Sequence, residues 1–180
     1  MTLMLRPDDW QALYQASNGL GNVLSFDPTT TPRFLFMFLG SFGLAGASLA
    51  VLGAYGKHEE ETSDFLRTWG ARLAIIFSLV QAAIGVWVYQ VQPPVVQNAL
   101  FENQLYAIGI YVWAMTAVLS ILTAGSVIVG GRAKAKLFSA IAVLCSILTT
   151  ISAVLVRDGI RDLTLAARGF DVWDRTVVSN

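Results

Sequence analysis

Phe34-Leu35-Phe36-Met37-Phe38-Leu39-Gly40-Ser41-Phe42-Gly43-Leu44-Ala45-Gly46-Ala47-Ser48-Leu49-Ala50-Val51-Leu52-Gly53-Ala54-Tyr55 contains no Asp, Glu, Lys, Arg or His. A helix needs roughly 20 apolar residues to cross about 30 Å of hydrocarbon, and this stretch is long enough. Three further stretches have the same character: 73–91, ending at the breaker pair Pro93-Pro94; 105–129; and 137–156, closed by Arg157-Asp158-Gly159. The reading is an all-α fold, an integral membrane four-helix bundle with amphipathic terminal segments. It divides into an interfacial segment at 1–32, the four-span domain at 33–156 and a C-terminal amphipathic tail at 157–180.

Composition agrees. The 180 residues are 55% hydrophobic and 13% charged, where a soluble domain is about 25% charged. Mean hydropathy is +0.60. Twelve basic residues balance twelve acidic ones, so there is no basic surplus for nucleic acid. One Cys excludes an internal disulfide framework and any cysteine-clustered metal site, and one His excludes a bis-histidine haem held by this chain alone.

The flanks carry their own signals. Asp8, Asp9, Asn18, Asn22 and Asp27 interrupt the first thirty residues, so no cleavable leader is expected. Pro7-Asp8-Asp9 reads as a helix start, with Trp10, Leu13, Tyr14 and Ala16 as an apolar stripe that Gly19 and Gly21 stop. In the tail, Ile160, Leu163, Leu165 and Phe170 alternate with Arg157, Asp158, Arg161, Asp162 and Arg168. With four spans, both termini share a face with the loop at 92–104, and the loops at 56–72 and 130–136 share the other. Lys57, Arg67, Arg72, Arg132, Lys134 and Lys136 occupy that second face, and three of these bases crowd into Gly130–Lys136. That density places the second face in the cytoplasm and both termini outside.

Small residues form the clearest pattern. Gly40, Gly43, Gly46, Ala47, Ala50 and Gly53 recur at helical spacing and allow a neighbouring backbone close. Ala82, Ala83 and Gly85 are the expected matching surface on the second span. Gln81 and scattered Ser and Thr are the polar groups inside the spans, and none is ionisable near neutral pH. That argues against a pump or an ion-coupled transporter. Trp69, Trp87, Tyr89, Tyr106, Tyr111 and Trp113 fall where aromatic belts belong. Arg67, Trp69, Arg72 and Gln81 are the candidate contacts for a lipid or quinone head group, although helix anchoring is the better explanation of the first three and an interhelical hydrogen bond that of Gln81. His58, beside Glu59-Glu60-Glu61, reads as part of a solvated loop whose acids open the next helix. Cys145 reads as an inert packing residue.

Thr31-Pro32-Arg33-Phe34-Leu35-Phe36 with Gly40, Gly43 and Ala45, the Gln81…Gly85…Trp87 pattern and Arg157-Asp158-Gly159-Ile160-Arg161 together carry a resemblance. They resemble small multi-span bacterial membrane subunits of cytochrome-type electron-transfer complexes, whose first span opens with a Pro-Arg-Phe-Leu-His-like motif. Phe36 stands where that group often has the His that could ligate haem. The resemblance implies a non-catalytic scaffold subunit in the bacterial cytoplasmic membrane. Its implied partners are other membrane subunits and peripheral cytochrome-bearing ones, with no cofactor held by this chain alone beyond a lipid or quinone. A quinone-binding anchor is the alternative function.

Overall fold

The structure, a computed structural model, describes residues 7–16, 29–167 and 169. Six helices lie among them: α1 (Pro7–Ala16), α2 (Thr30–Tyr55), α3 (Glu60–Gln90), α4 (Pro94–Glu102), α5 (Gln104–Val129) and α6 (Gly131–Ala166). No strand occurs among the described residues. α1 begins at the Pro7-Asp8-Asp9 start signal. The side chains of Trp10 and Leu13, the expected stop at Gly19 and Gly21, and the tail residues Arg168 and Phe170 lie outside the described residues.

Four of these helices, α2, α3, α5 and α6, are long and apolar enough to cross a membrane. They form an up-and-down bundle in which the ring order is α2, α3, α5, α6, with α4 lying across one end of α5 and α6. No more than 28% of any of the four apolar stretches is buried inside the bundle. Phe34, Met37, Leu122, Ile151 and many other large apolar side chains point outward all round. Water does not tolerate so much exposed apolar surface, whereas a hydrocarbon solvent does.

Local chemistry sets the helix ends. Glu60 and Glu61 sit in the first turn of α3, at the positive end of its dipole. Pro93 and Pro94 open α4, where a missing N–H leaves no bond unmade. Asn103 caps α5 by accepting from the backbone of Leu105 at 3.0 Å. Gly131 turns α5 into α6 at φ 64°, a left-handed conformation that residues with a Cβ seldom adopt.

Two helices run further than their apolar cores. α3 has 31 residues and α6 has 36, so they measure about 46 and about 54 Å against a hydrocarbon thickness of about 30 Å. The expected loop at 56–72 is therefore mostly helical, and α4 makes the one at 92–104 mostly helical as well. Arg157-Asp158-Gly159 does not close the fourth helix either. Gly159 is buried, and a Cβ there would stand 2.6 Å from the Tyr106 ring, so the glycine is a seat for an aromatic side chain. Ile160 then packs with Val96 and Leu100 of α4, which keeps this end of α6 covered and helical.

The small-residue face of α2 is where expected, and Gly43, Gly46, Ala47, Ala50 and Gly53 are all buried. Gly40 is half-buried against the Gln81 amide. The matching surface is different from the expected one. A Cβ on Gly46 would lie 2.6 Å from the Ala74 nitrogen and 2.8 Å from the Gly70 carbonyl. One on Gly70 would lie 2.5 Å from the Ala50 nitrogen. Gly70, Ala71 and Ala74 thus take the role assigned to Ala82, Ala83 and Gly85. Ala83 is exposed, and Gly85 instead receives the Trp113 ring, which also tilts against Phe36 with centroids 6.1 Å apart. Trp113 therefore turns into the bundle and is not part of an outer aromatic belt.

Candidate functional site

Charge concentrates at the ends of the bundle. At the end formed by the α2–α3 and α5–α6 turns, Arg132 on the first turn of α6 reaches Glu60 at 2.6 Å and Asp64 at 3.1 Å. It also donates to the Glu60 carbonyl at 3.3 Å. The adjacent Asp64 carboxylate raises the Arg132 pKa above the ordinary guanidinium value. Arg132 therefore ties the two hairpins together across the start of α3.

Arg67 comes at the same place from inside the bundle. Its side chain is 12% exposed and lies 3.5 Å from Asp64. Its Nη1 donates to the Val127 carbonyl of α5 at 3.0 Å. That carbonyl is in the last turn of α5, where backbone oxygens lack partners within the helix and the dipole is negative. α5 has no base of its own in its last turn, so Arg67 supplies the cation from the neighbouring helix. Arg67, one of the expected head-group contacts, thus also caps α5.

A cavity of about 280 Å³ opens beside these residues, lined by His58, Ser63, Asp64, Arg67, Arg132 and Lys136 among others. The Lys136 ammonium lies over the Tyr55 ring, 5.6 Å from its centroid. Among the described residues, no three His, Cys, Asp or Glu side chains converge as metal ligands would.

The four sequence-derived head-group residues do not form one site. Arg72 lies on the outer face, with its guanidinium 5.1 Å from the Trp69 ring centroid, and both residues are exposed. That pairing sends the charge back along α3 toward the helix start, as a base near a membrane boundary does. Gln81 lies about 21 Å along α3 from Arg67, at 1.5 Å per residue. It lines a small cleft of about 10 Å³ at the bundle centre with Ser78, Trp113, Ser120 and Ser146, which is room for about one water. Its amide reaches the Phe36 carbonyl at 3.5 Å, and the buried Trp113 Nε1 has no partner among the described residues.

No known protein family, curated protein or solved structure matches the chain.

The sequence reading missed the Glu60–Arg132–Asp64 bridge and a second polar cluster at the opposite end. There Arg33 donates to buried Gln92 at 3.2 Å, Gln92 donates to Val88, and Gln97 donates to the Gln92 carbonyl at 2.8 Å. At the short break between α3 and α4 these glutamine side chains serve the Val88, Gln90 and Gln92 carbonyls, while the N–H groups of Val91, Gln92, Val96 and Gln97 bond to backbone. On the same end the Tyr106 hydroxyl donates to Asp162 at 3.4 Å, and Arg161 pairs with Asp162 at 2.8 Å. A run of Gln residues flanking Pro93-Pro94 was the available signal.

Proposed function

We propose that the protein is a non-catalytic membrane-embedded scaffold subunit of a larger electron-transfer complex in the bacterial cytoplasmic membrane. The observation that carries the scaffold part is the composition of the bundle interior. Glycine and alanine fill the α2–α3 seam, and self-satisfied hydroxyls fill the α5–α6 seam. The bases and acids on the helices instead gather toward their ends in bridges that hold hairpin to hairpin. Such an interior is suited to rigidity. The electron-transfer part is supported by the resemblance carried by Thr31-Pro32-Arg33-Phe34-Leu35, Gln81, Gly85, Trp87 and Arg157–Arg161. Because α3 already covers the small-residue face of α2, partner subunits would meet the outward side chains, such as Phe34 and Phe38, and the terminal segments.

Purification from native membranes in mild detergent, followed by mass spectrometry and an absorbance spectrum, tests this reading. Co-purifying membrane and cytochrome-bearing subunits are expected, with the haem band leaving when those subunits are stripped away. A chain that purifies without redox partners, or that keeps a Soret band by itself, overturns it. The proposed orientation has its own test. A reporter fused after Asn180 should be active outside the cytoplasm and one inserted at Gly131 active inside, and the opposite pattern would invert the topology.

A further inference from the structure

The cavity at the Arg132 end has features that the scaffold reading does not use. Its acids are already committed: Arg132 holds Glu60 and Asp64, and Arg67 approaches Asp64 as well. Lys136 on its wall has no acidic partner among the described residues, its ammonium lying over the Tyr55 ring. The buried Arg67 Nε, on a residue of the same wall, has no acceptor among the described residues. α6 places Arg132, Lys134 and Lys136 in its first two turns, with no acid in the first turn and no side-chain cap. Bases at the positive end of a helix dipole are unfavourable in themselves and favour a bound anion.

The surroundings indicate where such an anion comes from. Leu52 and Leu137 are next in sequence to the cavity residues Gly53 and Lys136, and both are largely exposed. The apolar stretches of α2 and α6 begin there, so the charged cavity borders a surface suited to hydrocarbon. A phosphate at that boundary with acyl chains below it would match both parts.

We propose that the cavity between the end of α2 and the start of α6 binds the phosphate of an anionic phospholipid head group, with Lys136 and Arg67 as its cationic contacts. The site is independent of the electron-transfer reading. A lipid there would complete the charge balance at the α6 start and brace α6 against α2.

The full chain in detergent micelles is heated while tryptophan fluorescence reports unfolding, with short-chain phosphatidylglycerol, short-chain phosphatidylcholine or inorganic phosphate added. Phosphatidylglycerol should raise the midpoint by about 3 °C or more, as selective binding to the folded state does. Phosphatidylcholine and inorganic phosphate should not. Lys136→Gln should weaken phosphatidylglycerol binding about five-fold, whereas Arg72→Gln, on the outer face with Trp69, should leave it intact. An equal rise with phosphatidylcholine would show generic lipid solvation and overturn the site. An equal rise with inorganic phosphate would keep the anion chemistry but overturn the lipid source. Native mass spectrometry of the unaltered chain released from mixed phosphatidylglycerol and phosphatidylcholine nanodiscs gives a second reading. Retention of both lipids in the nanodisc ratio would also overturn the proposal.

Discussion

Along the α2–α3 seam, Gly46 and Gly70 bring backbone against backbone, whereas along α5–α6 Ser120 meets Ser146 at 3.0 Å and Thr149 meets Thr116 at 2.9 Å. In lipid, apolar side chains gain little by leaving one hydrocarbon environment for another, so helices associate through close packing or hydrogen bonds. Each hairpin uses one of these. The first leaves no room at Gly46, Gly53 and Gly70, where an added Cβ strikes main chain. The second is forgiving, because its hydroxyls also bond within their own helices. Thr149 can turn its single hydrogen from Thr116 to the Cys145 carbonyl at 2.8 Å, while Ser146 donates to Ala142 at 2.8 Å and Thr116 to Val112 at 2.8 Å. Losing the bond across the seam therefore orphans no backbone group.

The largest test of that contrast is Gly46→Leu. Overpacking generally costs about 1–3 kcal/mol and occasionally more, and here the obstacle is the Gly70–Ala74 backbone. A loss of about 3 kcal/mol is expected in reversible unfolding from mild detergent into denaturing detergent. A midpoint within error of the parent would show that the seam does not hold the hairpin. Arg67→Met comes next, since it keeps most of the side-chain volume but uncovers the Val127 carbonyl. A hydrogen bond from a charged group contributes about 1.5–3 kcal/mol, and faster amide exchange in the last turn of α5 should accompany the loss. Unchanged exchange there would dismiss the cap.

Gly125→Ala inverts the sign. A Cβ at Gly125 meets nothing within 4 Å, so the only change is backbone entropy. Replacing an unconstrained helical glycine should stabilise by about 0.5–1 kcal/mol. Destabilisation would mean that this face of α5 is packed in the folded membrane state. The smallest effect belongs to Ser120→Ala, near the average of about 0.6 kcal/mol for a hydrogen bond between membrane helices. A double-mutant cycle with Ser146→Ala isolates the coupling. A value above about 2 kcal/mol would contradict the forgiving character given to the second hairpin.

The four apolar stretches were legible because a bilayer imposes length and polarity on a contiguous run of residues. So was the small face of α2, whose spacing is a local property. Its counterpart was hidden by Arg67 and Arg72. Those charges make 56–72 resemble a loop, so Gly70 and Ala71 fall outside the expected second span at 73–91, which offers Ala82, Ala83 and Gly85 instead. Gly159 was misread for a related reason. A glycine after Arg157-Asp158 looks like a helix stop, and only the distant Tyr106 ring and the α4 residues Val96 and Leu100 show that the helix continues. Arg67 illustrates the limit for the candidate site. Its partner is a backbone carbonyl 60 positions away, and a carbonyl leaves no mark in the sequence.

α6 runs for 36 residues with no proline to interrupt it, so the charged rims of the bundle are opposite ends of one stiff rod. Arg132 near its start is tied to α3, and Gly159 and Ile160 near its finish are pinned by Tyr106 and by α4. The two rims of the bundle are therefore braced on one continuous helix, each held by contacts of its own.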